Sequence, residues 1–112
     1  MEDFFGTFIK IYVRENERCK EFHNKPLNRV IAEIALEVGI SDFVEYKAIE
    51  GFIFDKKLHT TIKEIVQPSL PIIIELFASD ELAQRFLERI KLYLNNSAVF
   101  VFNDVRGMFF RR

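Results

Sequence analysis

Pro71-Ile72-Ile73-Ile74-Glu75-Leu76-Phe77 is the stretch on which the fold turns. Ile72 to Phe77 is short, apolar on both faces and rich in β-branched residues, which predicts a strand covered on both sides. Ser79 follows as an N-cap, and Asp80 and Glu81 suit the positive end of a helix dipole. Leu82, Ala83, Phe86, Ile90 and Leu94 then recur at helical spacing, until Asn95-Asn96 stops the run. Ala98 to Asn103 is again apolar on both faces and predicts another strand. This half of the chain reads strand, helix, strand.

The first half repeats that order. Phe8 to Arg14 alternates, with Ile9, Ile11 and Val13 on one face and Phe8, Lys10, Tyr12 and Arg14 on the other. Glu15 to His23 is polar and reads as a loop. Pro26 suits a first helical turn. Leu27, Val30, Ile31, Ile34, Ala35 and Val38 form one apolar stripe, and Gly39 ends it as a left-handed cap. Asp42 to Glu50 predicts the second strand, with Val44, Tyr46 and Ala48 sharing a face. The plan is therefore the split βαβ, or ferredoxin-like, sandwich: an α+β fold with a four-stranded antiparallel sheet and both helices on one face. Residues 1–112 read as a single domain, with 105–112 as a C-terminal tail. The link from Gly51 to Leu70 is far longer than the about 2–5 residues usual for a hairpin, which marks it as a candidate working surface. Thr60 to Val66 is expected to form a short extra strand within it.

Composition narrows the function classes. A net charge of −1 with interspersed signs lacks the clustered basic face that nucleic acid requires. Cys19 is the single cysteine, so no intrachain disulfide forms, and a reducing compartment is expected. Arg18 and Lys20 flank it, and it reads as a surface thiol. No apolar run approaches a membrane span and no secretory signal opens the chain, so a soluble, cytoplasmic protein is expected.

Thirteen phenylalanines without a tryptophan predict rings buried within or between subunits. The sheet face turned away from the helices must carry either Ile72, Ile74 and Leu76 or Ile73 and Phe77. It must also carry either Val99 and Val101 or Phe100 and Phe102. Phe8, Tyr12, Phe43 and Ile49 are expected beside them. Such side chains offer ~1.5–3 kcal/mol each on full burial, and a patch this large calls for a cover. A homo-oligomer meeting through its sheets is the expected answer. The alternative is a monomer in which Phe109, Phe110 and the link fold back over the face.

Several segments in order resemble a known family. Ile11-Tyr12-Val13, Glu15 and Asn24-Lys25-Pro26-Leu27 match its opening strand, acidic loop and Gly-Lys-Pro-Leu helix start. Gly51-Phe52 and His59-Thr60 match its Gly-Phe-Gly…His-Thr segment, and Leu70-Pro71-Ile72-Ile73-Ile74-Glu75 its Leu-Pro-hydrophobic-Glu strand. The chain thus resembles, from about Phe8 to Asp104, the uncharacterised bacterial and archaeal family that shares the PII-like (GlnB-like) signalling fold. The resemblance implies a homotrimer and an adenine nucleotide or other small anionic effector bound between subunits. It also implies a link that docks on a protein partner, often a membrane transporter. It brings no catalytic residue. Asn24, Lys47-Ala48 and Ile53 stand where the family favours Gly, Arg-Gly and Gly, so three glycines that allow close backbone approach to a phosphate are absent.

The expected ligand site comprises Glu15, Asn24, Lys25, Lys47, Gly51, Phe52, His59 and Thr60. Lys25 at a helix start offers an ammonium beside backbone N–H groups, or is a solvated lysine next to an N-cap. Lys47 binds an anion or pairs with Glu45, Glu75 or Glu50. His59 is read as hydrogen-bonding locally, since two histidines without spaced carboxylates make a poor metal site. The Asp55-Lys56-Lys57 tip reads as a solvated turn. The resulting expectation is a trimeric sensor or adaptor that is not an enzyme, with no metal and no resident cofactor. Two other readings stand beside it. One is a purely structural interaction module. The other is a small enzyme joining His59 to Glu15 or Glu50 of a neighbour.

Overall fold

The computed structural model describes residues 2–51, 59–60 and 69–111. The main sheet comprises β1 (Glu2–Arg14), β2 (Asp42–Lys47), β3 (Pro71–Ala78) and β4 (Ala98–Phe109), in the order β2-β3-β1-β4 with every neighbouring pair antiparallel. Helices α1 (Leu27–Val38) and α2 (Asp80–Ile90) follow β1 and β3. This is the ferredoxin-like plan, and one face of the sheet packs on both helices.

The core follows from the alternation. Ile9, Ile11 and Val13 of β1 and Ile72, Ile74 and Leu76 of β3 are buried against Val30, Ile31 and Ile34 of α1 and Ala83, Phe86 and Ile90 of α2. Gly39 caps α1 at φ 104, where its N–H donates to the carbonyls of Ala35 and Leu36. Ser79 caps α2 by accepting from the Leu82 N–H at 3.3 Å. That helix ends at Ile90, and a turn then leads towards the left-handed Asn96, so Leu94 lies beyond the helix rather than on its stripe.

The face away from the helices carries Ile73 and Phe77 of β3, Phe100 and Phe102 of β4, and Phe8 and Tyr12 of β1. The register fixes this, since Phe8 pairs with both Phe77 and Phe102. Two expected members are absent. Phe43 is paired with the core residue Leu76 and packs on the helix side. Ile49 lies past the end of β2 and is exposed. Val44 and Tyr46 take their place from β2, being paired with Glu75 and Ile73.

The expected tail is largely strand. Val105 to Phe109 continues β4 by pairing with Gly6 back to Glu2, so only residues after Phe109 leave the sheet. Between Gly6↔Val105 and Phe8↔Phe102, β4 carries one extra residue, and Asp104 sits there at φ 56. This bulge keeps Val105, Gly107 and Phe109 on the side of Phe102. The Phe109 ring stacks on Phe4 at 5.0 Å and meets Phe77 at 5.9 Å. It covers one end of the open face only, for Phe100 and Phe102 stay 45% and 49% exposed and Phe110 is 72% exposed.

Candidate functional site

Of the expected site residues, Glu15, Lys47 and Gly51 lie where β1 ends and β3 begins. The Glu15 N–H donates to the Leu70 carbonyl and the Ala48 N–H to the Pro71 carbonyl, each at 2.9 Å. Asn16 and Ser69 clasp the same junction, where Ser69 Oγ donates to Asn16 Oδ1 at 2.7 Å. Gly51 pairs with His59, and Glu50 with Thr60, in a two-residue ladder. Both the entry to the link and its exit are thus fastened to the sheet end that carries Glu15. Phe52, the Asp55-Lys56-Lys57 tip and positions 61–66 of the expected extra strand lie outside the described residues.

Within this end, Lys47 Nζ donates to Glu15 Oε2 at 2.9 Å. The partner is Glu15, not Glu45, Glu75 or Glu50, because β2 ends level with the turn that leaves β1. Glu45 instead accepts from Asn28 Nδ2 at 2.8 Å, joining α1 to β2. Lys25 Nζ donates to Glu33 Oε1 at 2.8 Å. The Leu27 N–H at the helix start donates to the Glu17 carbonyl at 3.0 Å. Asn24 adopts φ 62, the left-handed region that asparagine tolerates better than most residues. The backbone shape a glycine would allow is therefore present although the glycine is not.

Chemically, this end offers two ammonium groups, each already held by a carboxylate. Among the described residues no group of three His, Cys, Asp or Glu side chains is placed to hold a metal ion.

Two features escape the sequence. Cys19 is buried at 3% exposure, because the short pairing of Arg18–Cys19 with Lys25–Pro26 turns the thiol inward while Arg18 stays out. Burial pushes the Cys19 thiol pKa up, and the hydrogen bond and charge of Glu21 add to the rise. The second is a polar group on the open face. Tyr46 Oη donates to Glu75 Oε2 at 2.7 Å, and Lys10 Nζ lies 3.7 Å from the same oxygen. The Glu75 hydrogen bond raises the Tyr46 phenol pKa. The only sequence signal is a Lys and a Glu interrupting two apolar alternations. Strand order and register are needed to bring them together.

A family profile described as "Uncharacterized ACR, COG1993" (DUF190) matches residues 6–106. The chain belongs to this family. A UPF0166 protein of Aquifex aeolicus (strain VF5) is 30% identical over 83 residues, covering 74% of this chain and 76% of the relative. Among solved structures, a PII-like protein from Thermus thermophilus aligns with a TM-score of 0.61 at 17% identity, over 96% of this chain and 93% of that one. CPII, a nitrogen regulatory PII-like protein from Thiomonas intermedia K12 solved with ADP, AMP and bicarbonate, aligns with a TM-score of 0.61 at 14% identity, over 95% and 91%. This member of the family has the PII-like fold. Among the described residues no helix is long and apolar enough to cross a membrane.

Proposed function

We propose that this chain is a PII-like signalling or adaptor protein, a homotrimer that binds a small anionic effector between subunits and presents its 51–70 link to a protein partner. The observation that carries the reading is the convergence of Glu15, Lys47 and Gly51 with both ends of the link on one sheet end. An anion drawn to Lys47 competes with Glu15, whose own backbone holds the link's exit at Leu70. Effector binding and link position are then coupled. The effector shifts the population towards the link arrangement it contacts better. An adenine nucleotide is the first candidate, given its presence in CPII. The role is binding, not catalysis, and the partner class that the family resemblance suggests is a membrane transporter.

Calorimetry with ATP, ADP and AMP tests this, with Lys47→Ala as the control. The expected result is binding by the wild type that weakens at least several-fold in the variant. No heat and no melting shift with any of the three would remove the nucleotide.

A purely structural interaction module is the second reading. It is favoured by the exposed Phe5, Met108 and Phe110 near the end of the β1–β4 ribbon. Equal recovery of a partner by wild type and by Lys25→Ala/Lys47→Ala would support it.

A further inference from the structure

The open face of the sheet carries aromatic and aliphatic side chains around a polar middle. There Lys10 of β1 stands directly across from Glu75 of β3 in the strand register, and across from Phe100 of β4 on its other side. Glu75 in turn faces Val44 of β2, one step from Tyr46 along the same face. One carboxylate oxygen thus gathers a cation from one neighbouring strand at 3.7 Å and a phenol from the other at 2.7 Å. The Lys10 and Glu75 side chains are 33% and 28% exposed.

The group is incomplete as one chain presents it. An ammonium has three donors and a carboxylate about four acceptor positions. Lys10 at 3.7 Å forms an ion pair with Glu75 but is too far for a hydrogen bond, and Glu75 accepts from Tyr46. Water completes such a group on a free surface. A wholly apolar cover would strip that water and leave the charges short of partners, which is costly. A second copy of the same face carries both a cation with donors to spare and a carboxylate with acceptors to spare. It is charge-complementary to itself, whereas an arbitrary greasy surface is not. A lone polar group in an apolar seam has an attested role of this kind in fixing register and copy number in coiled coils.

We infer that Lys10, Glu75 and Tyr46 form the polar centre through which copies of this chain recognise one another. Each group is completed across the symmetry axis, which selects one stoichiometry and rejects other apolar surfaces. This rests on the homotrimer proposed above. The aromatic rim supplies adhesion, and the centre supplies choice.

Native mass spectrometry and sedimentation velocity on the full chain test the inference, with circular dichroism to confirm that each variant is folded. The wild type is expected as one species. Lys10→Glu places two carboxylates at the centre and is expected to weaken assembly at least ten-fold. Lys10→Glu/Glu75→Lys is expected to restore it. Lys10→Met/Glu75→Leu is expected to stay associated but as a mixture of stoichiometries. A trimeric wild type whose Lys10→Glu variant assembles equally well overturns the inference and leaves the trimer standing. So does a Lys10→Met/Glu75→Leu variant with the single stoichiometry of the wild type. A monomeric wild type overturns both.

Discussion

The hydroxyl of Thr7 donates to Oδ1 of Asp80 at 2.6 Å, tying the first strand to the first turn of α2. Thr7 is only 3% exposed, so its hydroxyl has little access to water. Hydrogen bonds to charged acceptors contribute about 1.5–3 kcal/mol. Thr7→Val is expected to lower stability by that amount, seen as a lower urea midpoint at unchanged slope. Thr7→Ser, which keeps the donor, should lose less than half as much. A wild-type midpoint for Thr7→Val would mean the bond contributes nothing in solution.

Gly6 and Gly39 are required for different reasons, and substitution separates them. A Cβ on Gly6 would lie 2.4 Å from the Ala78 carbonyl oxygen, so β1 and β3 must part to admit it. Gly39 has open space around it but sits at φ 104. Gly6→Ala is expected to cost more than about 2 kcal/mol, within the overpacking range. Gly39→Ala is expected to cost about 1–2 kcal/mol, from backbone conformation alone. Asparagine should recover part of the loss at position 39 and none at position 6. Thermal melts of the four variants decide it, and equal behaviour at the two sites would refute the distinction.

Cys19 is expected to behave as a core residue rather than a reactive thiol. Burial first, and Glu21 second, hold its pKa above that of a free thiol. The sign of the pH dependence follows. Below the unfolded value, about 8.5, both states keep the proton and the neutral thiol contributes fully. As pH rises from there through the higher folded value, the unfolded chain ionises first and stability falls. The stability gap between wild type and Cys19→Ala should therefore narrow between pH 8 and pH 10 in urea titrations. Alkylation by iodoacetamide at pH 8 should be at least about ten-fold slower than in the unfolded chain. Equal rates would place the thiol at the surface.

Glu15 and Lys47 are both substantially exposed, at 38% and 52%, so their ion pair should add little to stability. Glu15→Gln is expected to change it by less than about 1 kcal/mol. The same variant frees the Lys47 ammonium and should raise affinity for ADP several-fold in calorimetry. Unchanged or weaker binding would show that Glu15 does not compete with the ligand.

Helix α1 was legible because its stripe, its Pro26 entry and its Gly39 exit agree. The extension of β4 was not. Val105 to Phe109 mixes charge, glycine and rings without alternation, and the extra residue at Asp104 shifts the parity that a period-two pattern needs. Its pairing with Glu2 to Gly6 is stabilised from a distance, by the fork of Arg106 Nε and Nη2 on Asp3. Phe43 misled for the opposite reason. Its alternation was clear, but the face was set by its register with Leu76. At the candidate site, Glu15 and Lys47 could each be picked out from the sequence. Their pairing with each other depends on where β2 stops, which no local pattern records.

Sedimentation equilibrium of the wild type across a concentration series measures directly whether the open aromatic face is covered by copies of the chain. The expected mass is three times the 13.3 kDa of one chain, persisting at micromolar concentration. A homogeneous 13.3 kDa species at the highest concentration would contradict the shared face and the effector site between subunits.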